Sequence, residues 1–243
     1  MSTETRGSVV AADHPPRPFA DTDWGWFCAR CDAAGIPFSA HARPRLEALY
    51  GHLAGVNAWL NLTRLSDPRD YLERHVLDAL APLGADPLFR PAAGERCADL
   101  GSGGGYPGLI LALWTPDTRW TLIDSRGRKV AFLAEAARLV DPQRVAARQL
   151  RGREVRSAAP DLQRSCQLVT ARAVAPAATL LAEARELLAP GGRLVAWKGP
   201  AYRGEEEGRA AAAARKLGYA SAQEVASPSA GARSLLLSWR RLG

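Results

Sequence analysis

The chain has almost no lysine, since 29 of its 32 cationic side chains are arginines and only Lys129, Lys198 and Lys216 are lysines. The formal net charge of the 243 residues is nevertheless +7, because only 25 side chains are acidic. Such a basic surface suits a polyanionic partner, since each phosphate that it neutralises releases condensed counterions. A genome whose codons favour arginine would give the same composition, and the sequence leaves both explanations open.

Long apolar runs are also missing from the sequence. The longest extends from Leu109 to Trp114, whereas a helix that spans a bilayer needs about 20 apolar residues. The chain begins with MSTETRGSVVAADHPPRP, which is polar and rich in proline and does not match a secretory signal. We therefore expect residues 1–22 to form a disordered leader. We also expect the protein to be cytoplasmic and not associated with a membrane.

Cysteine is scarce, and its spacing excludes two common sites. Cys28 and Cys31 match C-x-x-C, but Cys97 and Cys166 are isolated, so the second half of a zinc site is missing. The pair also lies in a predicted helix and not after a strand, where a redox pair would stand. The sequon Asn61-Leu-Thr63 matters only in a secretory compartment. We expect neither a bound metal nor redox chemistry.

Two hydrophobic patterns divide the rest of the chain. Residues 23–92 show helical spacing only, with Asp67 and Pro68 predicted as an N-cap and first helical residue. From residue 93 to residue 243, short apolar strands alternate with helices of about 10–15 residues, which predicts a parallel, doubly wound sheet. The predicted strands are residues 96–100, 119–125, 144–150, 166–173, 189–199, 222–227 and 234–242.

The last two predicted strands follow each other without a helix, so we expect them to pair antiparallel. Seven strands that end in such a pair resemble the Rossmann-like, mostly parallel sheet of class I S-adenosylmethionine-dependent methyltransferases. This likeness concerns architecture, and a fold does not by itself define a function.

The stretch ADLGSGGGYPG, residues 98–108, contains five glycines between a predicted strand and a predicted helix. Glycine at such a turn lets a ligand come close to the backbone. Asp124 ends the next strand, where its carboxylate can accept both hydroxyl groups of a ribose. Both features fit a nicotinamide dinucleotide and S-adenosylmethionine alike, because each ligand contains an adenosine.

Three details favour S-adenosylmethionine. Asp99 precedes the loop as D-x-G-x-G, a spacing typical of methyltransferases, whereas dehydrogenases usually have an apolar residue there. Pro107 removes one backbone N–H from the helix terminus, which a pyrophosphate would use and a sulfonium would not. The run LLAPGGRLVAW, residues 187–197, is a helix–turn–strand element common in this fold. Glycines that served only to turn the chain would leave Asp124 unexplained.

Five blocks of sequence together resemble the bacterial RsmG (GidB) family over residues 45–240. They are WLNLTRLSDPRDYLERHVLDAL (59–80), DLGSGGGYPG (99–108), LIDSRGRKVAFL (122–133), ARAVA (171–175) and AWKGP (196–200). Members of that family methylate N7 of a guanine in the 530 loop of 16S ribosomal RNA, guanine 527 in standard numbering. The resemblance implies a 16S rRNA (guanine-N7)-methyltransferase that binds S-adenosylmethionine through residues 93–243 and meets the small ribosomal subunit, which we expect it to do as a monomer.

The same resemblance implies particular site residues. Those expected to contact the cofactor are Gly101, Gly103, Tyr106, Asp124, Ser125, Arg126, Glu154, Val155 and Arg172. Tyr106 replaces the more usual Phe or Leu, and the acid at Glu154 stands one position earlier than in the family. Candidates for a catalytic role are His75, Arg172 and Lys198. Candidates for contacts with RNA phosphates are Arg64, Arg69, Arg74, Arg126, Arg128 and Lys198.

Aromatic side chains that could stack on a base are Trp59, Tyr106, Trp197 and Tyr202, although the two tryptophans could equally belong to the core.

A guanine N7 target needs no general base, because N7 carries a lone pair and no proton. The enzyme must align N7 with the methyl group and exclude water, and such positioning can supply about 7–11 kcal/mol. The chain has neither the Asn-Pro-Pro-Tyr motif of exocyclic amino methyltransferases nor the Pro-Cys pair of cytosine-C5 enzymes. These absences favour a ring nitrogen without identifying it. A methyltransferase for another RNA or a small molecule, and a nucleotide-binding regulator without turnover, remain the alternatives.

Overall fold

The computed structural model describes residues 8–37, 41–63, 67–85, 89–172, 175–225 and 235–243. Its α-helices are α1 (Asp21–Ala33), α2 (Ala42–Leu60), α3 (Pro68–Tyr71), α4 (Asp78–Ala85), α5 (Gly108–Trp114), α6 (Gly127–Val140), α7 (Val155–Ala158), α8 (Ala177–Leu187) and α9 (Glu205–Lys216). Its strands are β1 (Arg96–Leu100), β2 (Arg119–Asp124), β3 (Val145–Gln149), β4 (Cys166–Arg172), β5 (Leu188–Lys198), β6 (Gln223–Val225) and β7 (Leu235–Arg240). A π-helical turn, Leu72–Leu77, joins α3 to α4.

The seven strands form one sheet in the order β3-β2-β1-β4-β5-β7-β6. Strands β1 to β5 pair with one another in parallel, whereas β7 runs antiparallel to β5 and to β6. The prediction of a mostly parallel sheet that ends in an antiparallel pair is therefore confirmed. A parallel sheet is buried on both faces, which agrees with the nearly continuous apolar character of β1, β4 and β5.

The N-terminal helices cover one face of this sheet. Leu46 of α2 and Leu80 of α4 belong to the same buried cluster as Trp120 of β2. Helices α8 and α9 cover the other face, where Leu181 packs in a cluster with Trp239 of β7. The Asp67 side chain accepts hydrogen bonds from the backbone N–H groups of residues 69 and 70, so it caps α3 as its sequence predicts.

Residues 8–20, which the composition assigns to a disordered leader, are packed along α2 instead. The Phe19 side chain is only 3% exposed, and its ring stacks on Tyr50 with a centroid distance of 5.8 Å. A side chain at Gly51 or Gly55 would collide with residues 14–15 of this segment. The segment is polar on average, so its composition does not reveal that Phe19 anchors it. Gly51 and Gly55, which make room for the segment, lie in α2.

No helix in the described ranges is both long and apolar enough to cross a membrane. Within the same ranges, no group of three or more His, Cys, Asp or Glu side chains could hold a metal ion. Cys28 and Cys31 lie in α1 as free thiols. Burial raises the pKa of the Cys31 thiol to about 12, so this group is a poor source of thiolate.

Candidate active site

The residues that the sequence singles out meet at the carboxyl ends of the central strands. The glycine loop follows β1, Asp124 ends β2, Arg172 ends β4 and Lys198 ends β5. The chain order along the sheet reverses at β1, which lies between β2 and β4. In open α/β sheets, ligands bind outside the carboxyl ends of the strands at such a reversal.

Four glycines shape the loop, and they serve two purposes. Gly101, Gly103 and Gly105 have φ values of +66°, +56° and +92°, a region that residues with a Cβ rarely adopt. Gly108 is needed for packing, because a Cβ there would lie 2.6 Å from the Cβ of Asp99. This close approach seats the first turn of α5 on β1. Three glycines thus allow the backbone conformation of the loop, and the fourth allows α5 to pack against β1.

Asp124 faces the glycine loop across the carboxyl ends of β1 and β2. Its Oδ2 accepts a hydrogen bond from the N–H of Gly103 at 3.1 Å, and its Oδ1 accepts one from the N–H of Arg126 at 2.9 Å. Each carboxylate oxygen offers two lone pairs, so both oxygens can still accept a hydroxyl group. Lys129 of α6 also approaches the loop, with its Nζ 3.6 Å from the position of a Cβ on Gly103.

Asp99 supports the glycine loop from inside the protein, and its side chain does not reach the solvent-facing surface of the loop. The side chain is fully buried; its Oδ1 accepts from Thr170 Oγ1 at 2.7 Å and its Oδ2 from the N–H of Gly108 at 3.2 Å. Burial raises the pKa of this carboxyl group to about 6. The D-x-G-x-G spacing revealed the site, but the aspartate acts by joining β1, β4 and α5.

Arg172 connects β4 to the π-helical turn that carries His75. Its Nη2 donates to Nδ1 of His75 at 2.9 Å, and its Nη1 donates to Oδ2 of Asp78 at 3.3 Å and to the carbonyl of Arg74 at 3.1 Å. An arginine can only donate, so Nδ1 of His75 has the free lone pair and Nε2 carries the proton. That proton is donated to Oγ1 of Thr63 at 2.8 Å.

The His75 ring is neutral at physiological pH. Burial and the nearby guanidinium of Arg172 lower the pKa of this imidazole to about 3. Burial raises the pKa of the Asp78 carboxyl group, and the positive charge of Arg172 partly offsets this effect. His75 and Asp78, one turn apart in the sequence, are therefore not a surface hydrogen-bonded pair but two separate partners of one arginine.

Tyr106 joins this network to the glycine loop. Its ring stacks on His75 with a centroid distance of 4.5 Å and an interplanar angle of 11°. Its hydroxyl donates to the hydroxyl of Tyr71 at 3.0 Å, and the guanidinium carbon of Arg172 lies 5.7 Å from its ring centroid. Tyr106 thus joins the loop to the helical segment through ring contacts with His75 and Tyr71, which no local pattern in the sequence indicated.

Other predicted contacts are placed differently from what the sequence suggests. Trp197 and Tyr202 are 2% and 3% exposed, so neither can stack on an incoming base in this structure. The Lys198 ammonium lies 2.7 Å from Oε1 of Glu206 and donates to the carbonyl of Ala175 at 2.8 Å. Its charge is therefore compensated by a carboxylate that the sequence analysis did not consider.

The turn after β3 contains Glu154 and Val155. The Glu154 carboxylate accepts from the N–H of Arg151 at 2.9 Å and so caps its own turn, while Val155 is completely buried. Arg74, Arg126 and Arg128 are exposed, as are Ser125 and Gly127. Arg69 lies over the Trp26 ring and pairs with Asp23 at 3.0 Å. Arg64 lies outside the described residues.

Solved structures with this arrangement include two fibrillarins. Fibrillarin from Methanococcus jannaschii has a TM-score of 0.54 and 14% identity, over 68% of this chain and 74% of its own. Fibrillarin from Aeropyrum pernix, with natively bound S-adenosyl-L-methionine, has a TM-score of 0.50 and 16% identity, over 67% and 72%. Such low identity shows the fold alone. The fold and the glycine loop opposite Asp124 define a class I S-adenosylmethionine-dependent methyltransferase.

Sequence comparison identifies the family. A family model described as GidB, rRNA small subunit methyltransferase G, matches residues 42–236. Ribosomal RNA small subunit methyltransferase G of Halorhodospira halophila is 40% identical over 171 residues, 70% of this chain and 76% of the relative. Its counterpart in Myxococcus xanthus is 38% identical over 204 residues, 84% and 90% of the two chains. The chain belongs to the GidB family, which confirms the family, enzyme class and cofactor expected from the sequence.

Proposed function

We propose that this protein transfers the methyl group of S-adenosylmethionine to N7 of a guanine in the 530 loop of 16S rRNA. The observation that carries the proposal is the contact of Arg172 with His75 and Asp78 beside Tyr106. It unites three of the sequence blocks that define the family, although 97 residues separate Arg172 from His75. The membership of the chain in a family of small-subunit rRNA methyltransferases supports the same substrate.

The cofactor fits the glycine loop and Asp124. Gly101 and Gly103 leave the backbone open to close approach, and both oxygens of Asp124 retain a lone pair for the two ribose hydroxyls. Ser125 and Arg126 would flank the adenine, and the turn with Glu154 and Val155 would border it. When bound, S-adenosylmethionine supplies the electrophilic methyl group on its sulfonium.

Arg172 is well placed to hold the guanine. A guanidinium has five N–H donors, and hydrogen bonds to His75, Asp78 and the Arg74 carbonyl occupy three of them. Two N–H groups of Arg172 therefore stay available to O6 of guanine, an acceptor next to N7 on the same edge of the base. This leaves the N7 lone pair free to attack. No proton is released at N7, so the neutral His75 positions Arg172 and acts as no base.

The target base must leave its stack to reach this site, as bases in loops do readily. The exposed arginines Arg74, Arg126 and Arg128 lie on the rim and can hold phosphates there. Lys198, neutralised by Glu206, contributes less to RNA binding than these three. We further propose that the protein works as a monomer in the cytoplasm, where small ribosomal subunits are found.

The test is methyl transfer to small ribosomal subunits purified from cells that lack the endogenous enzyme. Labelled S-adenosylmethionine should place one methyl group per 16S rRNA, and mass spectrometry of nuclease fragments should locate it at N7 of the guanine in the 530 loop. Label elsewhere in 16S rRNA would assign another target, and absence of label would indicate a regulator without turnover. The Asp124→Ala protein serves as the inactive control.

A further inference from the structure

Arginines line the edge of the sheet opposite to the candidate active site. Strands β1, β2 and β5 begin near this edge and the antiparallel β7 ends there. We call Arg96, Arg119, Arg193 and Arg240 on these four strands the arginine edge. Strands of five or six residues at about 3.3 Å per residue separate it from the carboxyl ends by roughly 17–20 Å. No role in the proposed reaction accounts for it.

The four arginines form two like-charged pairs across neighbouring strands. Arg96 is the register partner of Arg119 in the β1–β2 pair, and Arg193 is the register partner of Arg240 in the β5–β7 pair. Like charges at directly opposed positions destabilise a sheet. Two such pairs at one edge lower the stability of the free protein, and a bound polyanion would reduce the repulsion between the arginines.

Each pair lines a cleft that contains further arginines. Arg144 and Arg148 join Arg96 and Arg119 in the cleft beside β3, whereas Arg90 joins Arg193 and Arg240 in a cleft of about 500 Å³ beside β5. Two of these further arginines are paired with acids, because Asp161 accepts both guanidinium branches of Arg148 and Asp141 pairs with Arg144. The Glu95 carboxylate, which lines the second cleft, accepts a hydrogen bond from the N–H of Ala92.

The guanidinium groups of two members of the arginine edge have no partner among the described residues. Arg119 and Arg240 are exposed, and neither donates a side-chain hydrogen bond to any described residue. The Arg96 guanidinium donates to the carbonyl of Asp161, and Arg193 lies over the Phe89 ring with its guanidinium carbon 5.6 Å from the centroid. The site therefore offers guanidinium cations to an anionic ligand.

We propose that the arginine edge is a second RNA-binding surface, which holds the phosphate backbone of the small-subunit rRNA far from the methylated guanine. The inference rests on the proposed function for the identity of the RNA. Guanidinium groups bind phosphate in a planar, two-pronged geometry. The edge extends over four strand spacings, from β2 to β7, or about 19 Å. Only an extended, folded RNA reaches both this edge and the active site, so the surface favours the subunit rRNA over an isolated loop.

The test compares two double variants that remove the same charge. Arg119→Gln/Arg240→Gln removes the two exposed arginines without described partners, one from each cleft. Arg215→Gln/Lys216→Gln removes two exposed cations from the last turn of α9 and is the control. We measure the dissociation constants for 16S rRNA and for a hairpin of the 530 loop over a range of salt concentrations, without turnover, and kcat at saturating rRNA.

The edge variant should bind 16S rRNA at least tenfold more weakly at low salt. Its plot of log affinity against log salt should be shallower by about 1.4, because two phosphate contacts are lost. Its affinity for the hairpin and its kcat should equal those of the wild type, and Arg119→Lys/Arg240→Lys should restore binding of 16S rRNA. Its thermal midpoint should not fall, since one arginine of each repelling pair is gone.

Three results would overturn the proposal: an unchanged affinity and salt slope for 16S rRNA, an equal loss in the α9 control, or an equal loss for the hairpin. Failure of the proposed function looks different. In that case the wild type places no methyl group on guanine N7, while the binding measurements, which need no methyl transfer, still decide whether the edge holds RNA.

Discussion

The guanidinium of Arg172 donates to the imidazole of His75 over 2.9 Å, and this contact fixes the ring as its Nε2–H tautomer. It also fixes the arginine, whose second branch is held by Asp78 at 3.3 Å. The pair joins the end of β4 to the helical segment that precedes the sheet. A positioned cation and a neutral imidazole are therefore built into the site before any substrate arrives.

The first prediction concerns Arg172. Arg172→Ala removes the donors assigned to guanine O6, and a hydrogen bond from a charged group is worth about 1.5–3 kcal/mol. We expect kcat/KM for the ribosomal substrate to fall about 10- to 150-fold, with little change in the affinity for S-adenosylmethionine. Arg172→Lys should recover little, because an ammonium lacks the planar fork. Arg138→Ala, at an exposed site on α6, is the control. Full activity of Arg172→Ala would leave it a purely structural residue.

The second prediction concerns the pH dependence of stability. The folded pKa of His75 is about 3 and its ordinary value is 6.5, so the unfolded chain binds more protons between these values. The free energy of unfolding contributed by this group is complete above pH 6.5 and is lost as the pH falls. It should decrease by about 2 kcal/mol between pH 7.5 and 5.0.

Denaturant unfolding of the wild type and of His75→Gln at pH 5.0 and 7.5 checks this. The difference in unfolding free energy between the two proteins should change with pH, since the variant lacks the titrating ring. Asp99, whose pKa is raised to about 6, acts with the opposite sign between its ordinary value of 3.8 and that pH, but it is common to both proteins. Parallel pH profiles would contradict the buried, neutral state of His75.

The third prediction concerns Asp124. Asp124→Ala removes the acceptor of two ribose hydroxyls and frees the N–H groups of Gly103 and Arg126. Two charge-assisted hydrogen bonds are lost, so the dissociation constant for S-adenosylmethionine should rise at least 100-fold in calorimetry. Asp161→Ala, which removes an exposed carboxylate paired with Arg148, should bind the cofactor like the wild type. An unchanged affinity in Asp124→Ala would disprove the ribose contact.

The fourth prediction separates two glycines of the loop. Gly108→Ala brings a Cβ to within 2.6 Å of Asp99 and should cost about 1–3 kcal/mol of stability through overpacking. Gly103→Ala has space around its Cβ but a φ of +56°, so it should cost only about 1 kcal/mol. Its main effect should be weaker cofactor binding, because the methyl group stands in the cradle. Thermal unfolding and cofactor titration of both variants test this, and the reverse pattern would refute the division of roles.

The sequence predicted those features that depend on neighbouring residues. Strand and helix periodicity gave the seven strands, and the N-cap at Asp67 was visible in its pairing with Pro68. The glycine loop and Asp124 were likewise visible, because the chemistry of a strand–turn–helix ligand site occupies one short stretch and the end of the next strand.

Features that depend on strand register, or on which side of a helix or strand faces solvent, could not be predicted from the sequence. The stacking of Tyr106 on His75 and the pairing of Arg96 with Arg119 require the packed sheet. Trp197 was a candidate for base stacking, but its side of β5 faces the N-terminal helices and its Nε1 donates to the carbonyl of Asp78. Alternation along a strand does not tell which face remains open near its end.

The packing of residues 8–20 has a consequence for shortened versions of this protein. The matched family segment begins at residue 42, yet Phe19 fills a hollow between the rings of Tyr50 and Tyr71. The N–H of Ala11 also reaches Oε2 of Glu135 on α6, the helix that follows Asp124. Truncation of the chain to residue 42 would expose the rings of Tyr50 and Tyr71, and this exposed aromatic surface would favour self-association.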